Sequence, residues 1–146
     1  MKKRTLLMSV ALLLGSSLIT LPTASAGGGF VVVVNKSNEV SQLSKSELKK
    51  AITGGTKQWK NGAAIQLGII ASEAPETQHL GELVDMSPKE LLSRIQEQVF
   101  KGEMRRPVVL RSSAECIAFA RGNPGAICVC SAAAPIPPEA HAVTVR

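Results

Sequence analysis

The sequence predicts a small α/β domain: a mostly parallel sheet held between helices in a single three-layer unit. Two observations carry this expectation. The segments around Val31-Val32-Val33-Val34, Ile65 to Ala71 and Ala126 to Cys130 are almost continuously apolar, the pattern of strands buried on both faces. Between such segments stand three Ser-x-x-Glu signatures of helix N-termini, so that strands and helices alternate along the chain.

The elements follow in order. A strand over Phe30–Val34 runs into the polar turn Asn35-Lys36-Ser37-Asn38. Ser44-Lys45-Ser46-Glu47 is a capping box with Leu43 and Leu48 at the staple positions, and Gly54-Gly55 stops the helix it opens. Lys57 and Trp59 belong to the loop that returns to the second strand, Ile65–Ala71, with the Trp partly buried. A weaker helix is read over Pro75–Val84, carrying Leu80 and Val84 on one face. Ser87-Pro88-Lys89-Glu90 repeats the box, with Pro at the first helical position and Met86 stapled to Leu91. That helix should run to Phe100, since Leu91, Leu92, Ile95, Val99 and Phe100 recur at helical spacing until Gly102. A strand over Pro107–Leu110 precedes a third box, Ser112-Ser113-Ala114-Glu115, and Gly122 before Pro124 ends its helix. Strands over Ala126–Cys130 and Ala142–Val145, joined by the Pro/Ala connector from Ala132 to Pro138, complete the chain.

The first 26 residues read as a cleaved signal peptide. Lys2, Lys3 and Arg4 form the basic start, Leu6 to Leu21 the apolar stretch, and Ala24-Ser25-Ala26 the cleavage signal. Residues 27–146 then form one domain, exported to the periplasm or secreted. The formal charge of +6 falls to +3 once the three basic residues of the leader are removed. That balance, with one Trp, three Phe and no Tyr, argues against nucleic acid and against sugar binding, both of which use aromatic faces. Cys116, Cys128 and Cys130 are an odd set for an exported protein. Cys128 and Cys130 share a strand face, and a bridge from Cys116 to either is open. The plainer reading makes all three small buried hydrophobes.

Two places could meet a ligand. Arg111-Ser112-Ser113 follows a strand and opens a helix, so that a cation, two hydroxyls and free backbone N–H groups converge where an oxyanion can be held. The competing role for the serines is to cap the helix, with Glu115 closing the box. The turn with Asn35, Ser37 and Asn38 lies at a strand's carboxyl end, where open α/β sheets meet their ligands; the same residues are ordinary turn formers. His79 and His141 are the only histidines, and no C-x-x-C or H-x-x-x-H spacing joins them to the cysteines as a metal site. No metal, no other cofactor and no catalytic set is expected, and the chain reads as non-enzymatic.

The wording of one block goes further than its pattern. VVVVNKSNEVSQLSKSELKKAITGGTKQWKNG, from Val31 to Gly62, and Asn123-Pro124-Gly125-Ala126-Ile127 resemble the phosphate-binding proteins of ABC importers. That family has a valine-rich strand, Asn-Pro-x-Asn, a Leu-Ser/Thr-x-x-Glu-Leu helix, a Gly-Lys and tryptophan segment, and later a pGAIGY block. The resemblance implies one lobe of a type II periplasmic binding protein, with inorganic phosphate or a similar oxyanion as ligand. It implies the membrane subunits of an ABC importer as partners. The family closes its ligand between two lobes, and this chain has residues for one. A homodimer, or a role as an envelope protein–protein interaction module without a ligand, is therefore the alternative. The sequence departs from the family at Ser72–Thr77. Where the family grips the anion with a Ser-Gly-Thr helix start, Ala74 and Pro75 stand here between Glu73 and Glu76, carboxylates that favour the helix and repel phosphate.

Overall fold

The computed structural model describes residues 29–146; the signal-peptide reading falls on residues outside that range. Six strands form one sheet: β1 (Phe30–Asn35), β2 (Gln42–Leu43), β3 (Gln66–Ile70), β4 (Val108–Leu110), β5 (Ala126–Ser131) and β6 (Ala140–Val145). Among the described residues four helices join them: α1 (Lys45–Ile52), α2 (Pro75–Leu83), α3 (Pro88–Phe100) and α4 (Ser113–Gly122). Strand order across the sheet is β2-β6-β1-β5-β3-β4. The pairs β2–β6, β3–β5 and β3–β4 are parallel, and β1 is antiparallel to both its neighbours. Five strands thus run one way and β1, in the middle, runs against them. The short β2 has no signature in the sequence, because Gln42 and Leu43 show no strand pattern of their own; it forms because β6 lies beside it.

Both faces of the sheet are covered, as the apolar strands require. One face packs α1, α2 and α3 through Leu48, Ile52, Leu80, Leu91 and Ile95 against Val32, Val34, Leu67, Ile127 and Val129. The other packs α4 through Cys116, Ile117 and Ala120 against Val33, Ile70, Cys128 and Cys130. This division is the expected three-layer sandwich, and it follows from alternation along each strand: Val32 and Val34 point to one layer, Val33 to the other.

The caps form largely as read. At Ser44 and Ser87 both halves of the box are present, each serine oxygen accepting from the backbone N–H three residues on and each glutamate reaching back. At α4 only half of it is: Ser112 Oγ accepts from Glu115 N at 3.3 Å, but Glu115 Oε2 accepts from Arg111 N at 2.7 Å, one residue upstream of the cap. Trp59 is buried, at 7% exposure, and its indole N–H donates to Gly125 O at 3.0 Å. The tryptophan segment and the Pro-Gly-Ala-Ile block thus meet in space.

Candidate functional site

Because β3, β4 and β5 are parallel, their carboxyl ends at Ile70, Leu110 and Ser131 lie along one edge of the sheet, where α2 and α4 begin. Arg111, Ser112 and Ser113 stand on this edge. Ser112 caps α4. The Ser113 hydroxyl donates to Glu76 Oε1 at 3.2 Å and accepts from Ser131 N at 2.9 Å, so it ties the starts of α2 and α4 to the end of β5. Thr77, buried at 2% exposure, donates to Ile70 O at 2.7 Å and pins the first turn of α2 to β3. The Arg111 side chain is exposed and makes no ion pair among the described residues.

The electrostatics of the edge are mixed. One guanidinium and several hydroxyls favour an anion, while Glu73, Glu76 and Glu115 oppose it. The Ser72 hydroxyl, 2.7 Å from Glu73 Oε1, holds that carboxyl below its usual range and keeps it charged. Glu76 occupies the hydroxyl that an incoming oxyanion would use. The glutamates at the helix start are evident in the sequence, but the Glu76–Ser113 link is not, since nothing local brings positions 37 apart together.

The Asn35 turn lies elsewhere. β1 runs against the other strands, so its carboxyl end is beside the amino ends of β3 and β5, as the pairing of Val34 with Ile127 shows. Asn35 is buried. Its Nδ2 donates to Ala120 O at 2.7 Å and Arg121 O at 3.0 Å, and its Oδ1 accepts from Ser37 N at 2.9 Å and Ser37 Oγ at 2.8 Å. All four hydrogen-bonding positions of this amide are used inside the protein. It satisfies carbonyls that the C-terminus of α4 leaves without helical partners. Asn38 is buried too; its Oδ1 accepts from Val40 N at 3.3 Å, and its Nδ2 has no partner among the described residues. The structure therefore does not bring Asn35, Ser37 and Asn38 together with Arg111, Ser112 and Ser113. They serve opposite ends of α4, about 10 Å apart along its axis from Ser113 to Ala120.

Cys116, Cys128 and Cys130 form one buried cluster between α4 and β5, all as free thiols. The Cys116 thiol points at Val129 O at 3.5 Å and the Cys128 thiol at Cys116 O at 3.3 Å. Among the described residues no group of His, Cys, Asp and Glu is placed to hold a metal ion, and no helix is long and apolar enough to cross a membrane.

This three-layer fold has counterparts among solved phosphate-type substrate-binding proteins. The chain superposes with a TM-score of 0.64 and 21% identity on an ABC transporter substrate-binding protein with bound phosphate from Clostridium perfringens, covering 81% of this chain and 45% of that one. An ABC-type phosphate transport receptor from Vibrio cholerae gives 0.63 at 16% identity, covering 81% and 46%. PstS from Borrelia burgdorferi gives 0.60 at 17%, covering 82% and 47%. The chain thus spans less than half the length of these structures, and at these identities the likeness is one of fold. No family model matches the sequence, and no curated protein does.

Proposed function

We propose that the chain is an exported, non-enzymatic, substrate-binding-like domain that meets inorganic phosphate or a similar oxyanion at the carboxyl edge of its sheet. The observation that carries this reading is the convergence of Arg111, Ser112 and Ser113 on that edge at the N-terminus of α4. The shared lobe fold and the phosphate bound in the Clostridium perfringens structure support it. In this reading Arg111 supplies the charge and Ser113 and the α4 backbone the hydrogen bonds. Asn35, Ser37 and Asn38 shape the far turn and leave the ligand to the other edge. Glu76 is the rival: phosphate must displace it from Ser113.

Two measurements test the reading together. Titration calorimetry of the purified protein at low salt should detect saturable phosphate or sulfate binding, lost in Arg111→Ala. Glu76→Gln, which removes the competing charge and keeps the shape, should tighten binding about tenfold, the equivalent of one like charge relieved at partial exposure. Unchanged binding in Arg111→Ala overturns the site assignment. No binding by either the wild type or Glu76→Gln, in folded samples, overturns the oxyanion reading.

A second reading has its own observation. With the Glu76–Ser113 contact already made and the Asn35 turn on the opposite edge, the fold serves equally as an envelope protein–protein interaction module. An importer's membrane subunits, another envelope protein or a second copy of the chain are its candidate partners.

A further inference from the structure

The most conspicuous unsatisfied surface runs along β4, the last strand of the sheet among the described residues, and meets the carboxyl-edge site only at Arg111. Among the described residues β4 pairs only with β3, so one side of its backbone has no strand beside it there. Val109 is 75% exposed, Val108 38%, and Phe100, at the end of α3, 94%. Alternation along β4 sends Val109 to the α3 face, beside its ladder partner Ile69. There Ile69, Ile95, Val99, Phe100 and Val109 line an open groove of about 460 Å³, with Arg106 at its mouth. Gln66 Nε2 donates to Arg106 O at 2.9 Å and fixes the backbone entering the strand. Arg105, Arg106 and Arg111 flank β4, are exposed, and make no ion pair among the described residues.

We infer that the β4 edge is a docking site for an extended, acid-flanked apolar segment of another protein. The segment adds a strand beside β4, places one large apolar side chain in the groove against Phe100 and Val109, and sets carboxylates against Arg105, Arg106 and Arg111. Charge selects this occupant. A second copy of the chain pairing antiparallel through the same edge would bring Arg106 of one copy close to Arg111 of the other, and like charges facing across strands destabilise the pair. The arginines therefore close the edge to self-association, a known use of charge on edge strands, and leave it open to acidic partners. A membrane surface fits less well, because lipid cannot satisfy the free N–H and C=O groups of the strand.

The probe is a fluorescein-labelled seven-residue peptide, Val-Phe-Val flanked by two glutamates on each side, measured by anisotropy against the purified protein at low salt. Saturable binding is expected, weakened at least about tenfold by Arg106→Glu and by Val109→Lys, each an exposed position whose change leaves the core intact. The backbone amides of β4 that face away from β3 should gain protection from hydrogen exchange when the peptide is present. A peptide with lysines in place of the glutamates should not bind. Absence of binding overturns the inference, as does binding that both variants leave unchanged. Three further results also overturn it: equal binding of the lysine peptide, binding to anionic phosphatidylglycerol vesicles that Val109→Lys abolishes while the peptide stays unbound, and a concentration-dependent dimer that Val109→Lys dissolves.

Discussion

At the scale of single residues, Gly125 and the cysteines carry more than their size suggests. A Cβ on Gly125 would collide with the carbonyl oxygen of Ala64, and the Gly125 carbonyl already accepts from Trp59 Nε1 and, at 2.8 Å, from Gln66 N. Gly125→Ala must push β3 away from the start of β5. Chemical denaturation should show a loss of about 1–3 kcal/mol, the range of overpacked core sites; a loss under about 0.5 kcal/mol would show that the loop relaxes freely. For Cys130, burial first, then the neighbouring Cys116 and the Glu76 carboxylate, push the thiol up to about 11. Cys128 is raised as well, by its hydrogen bonding with Cys116 and by burial. The sign follows directly. The folded state keeps these protons at pH values where the unfolded chain, with thiols near their ordinary value, has lost them. Stability contributed by Cys130 is therefore complete below about pH 8.5 and is lost as pH rises toward 11. Cys130→Ala should flatten that decline relative to the wild type by on the order of 2 kcal/mol. Equal slopes in the two proteins would show that the thiol titrates freely.

Elements show where local chemistry suffices and where it fails. The boxes at Ser44 and Ser87 need only residues within four positions, and both form as read. Ser87→Ala should cost about 1 kcal/mol in thermal or chemical unfolding, because it frees the Glu90 N–H that Ser87 Oγ accepts at 3.2 Å. Ser93→Ala, on the exposed face of the same helix, should be neutral within about 0.5 kcal/mol. At α4 the box is altered because Glu115 reaches Arg111 N instead of its own cap. The C-terminal end of that helix is finished by a residue distant in sequence, Asn35. No helix signature around Gly122 could announce that partner.

For the whole molecule, the central strand β1 couples the two helical layers. Val33 packs toward α4 while Val32 and Val34 pack toward α1, α2 and α3, and β1 pairs with both β5 and β6. Neither layer has a core without the sheet. Unfolding should be a single cooperative transition, with Trp59 fluorescence and far-UV circular dichroism giving coincident midpoints. Separated midpoints would show that the layers melt independently. The same architecture sets the scale of any ligand site. Among the described residues the carboxyl edge of the sheet carries Arg111 with no ion pair and Glu76 on the Ser113 hydroxyl, so opposite charges meet there.

Local sequence patterns suffice for the class of the fold and, among the described residues, for four helices, five of the six strands and the two complete caps; they make Trp59 partly buried, where the fold buries it to 7% exposure. Each of these patterns is set by residues close together along the chain, through alternation, helical spacing or a capping serine. The position of Arg111, Ser112 and Ser113 between β4 and α4 is legible for the same reason, since a strand, a cation and a helix start follow one another directly; that position is not yet a binding role. Direction was not legible. The valine run of β1 reads the same whichever way it lies, and only its pairing with β5 and β6 reversed it. That reversal carried Asn35, Ser37 and Asn38 to the end of the sheet away from Arg111. Contacts between segments far apart in the chain also put the Glu76 carboxylate on Ser113 and, among the described residues, leave the outer side of β4 without a strand beside Phe100. Strand order and long-range hydrogen bonds are settled by how separate segments share one core.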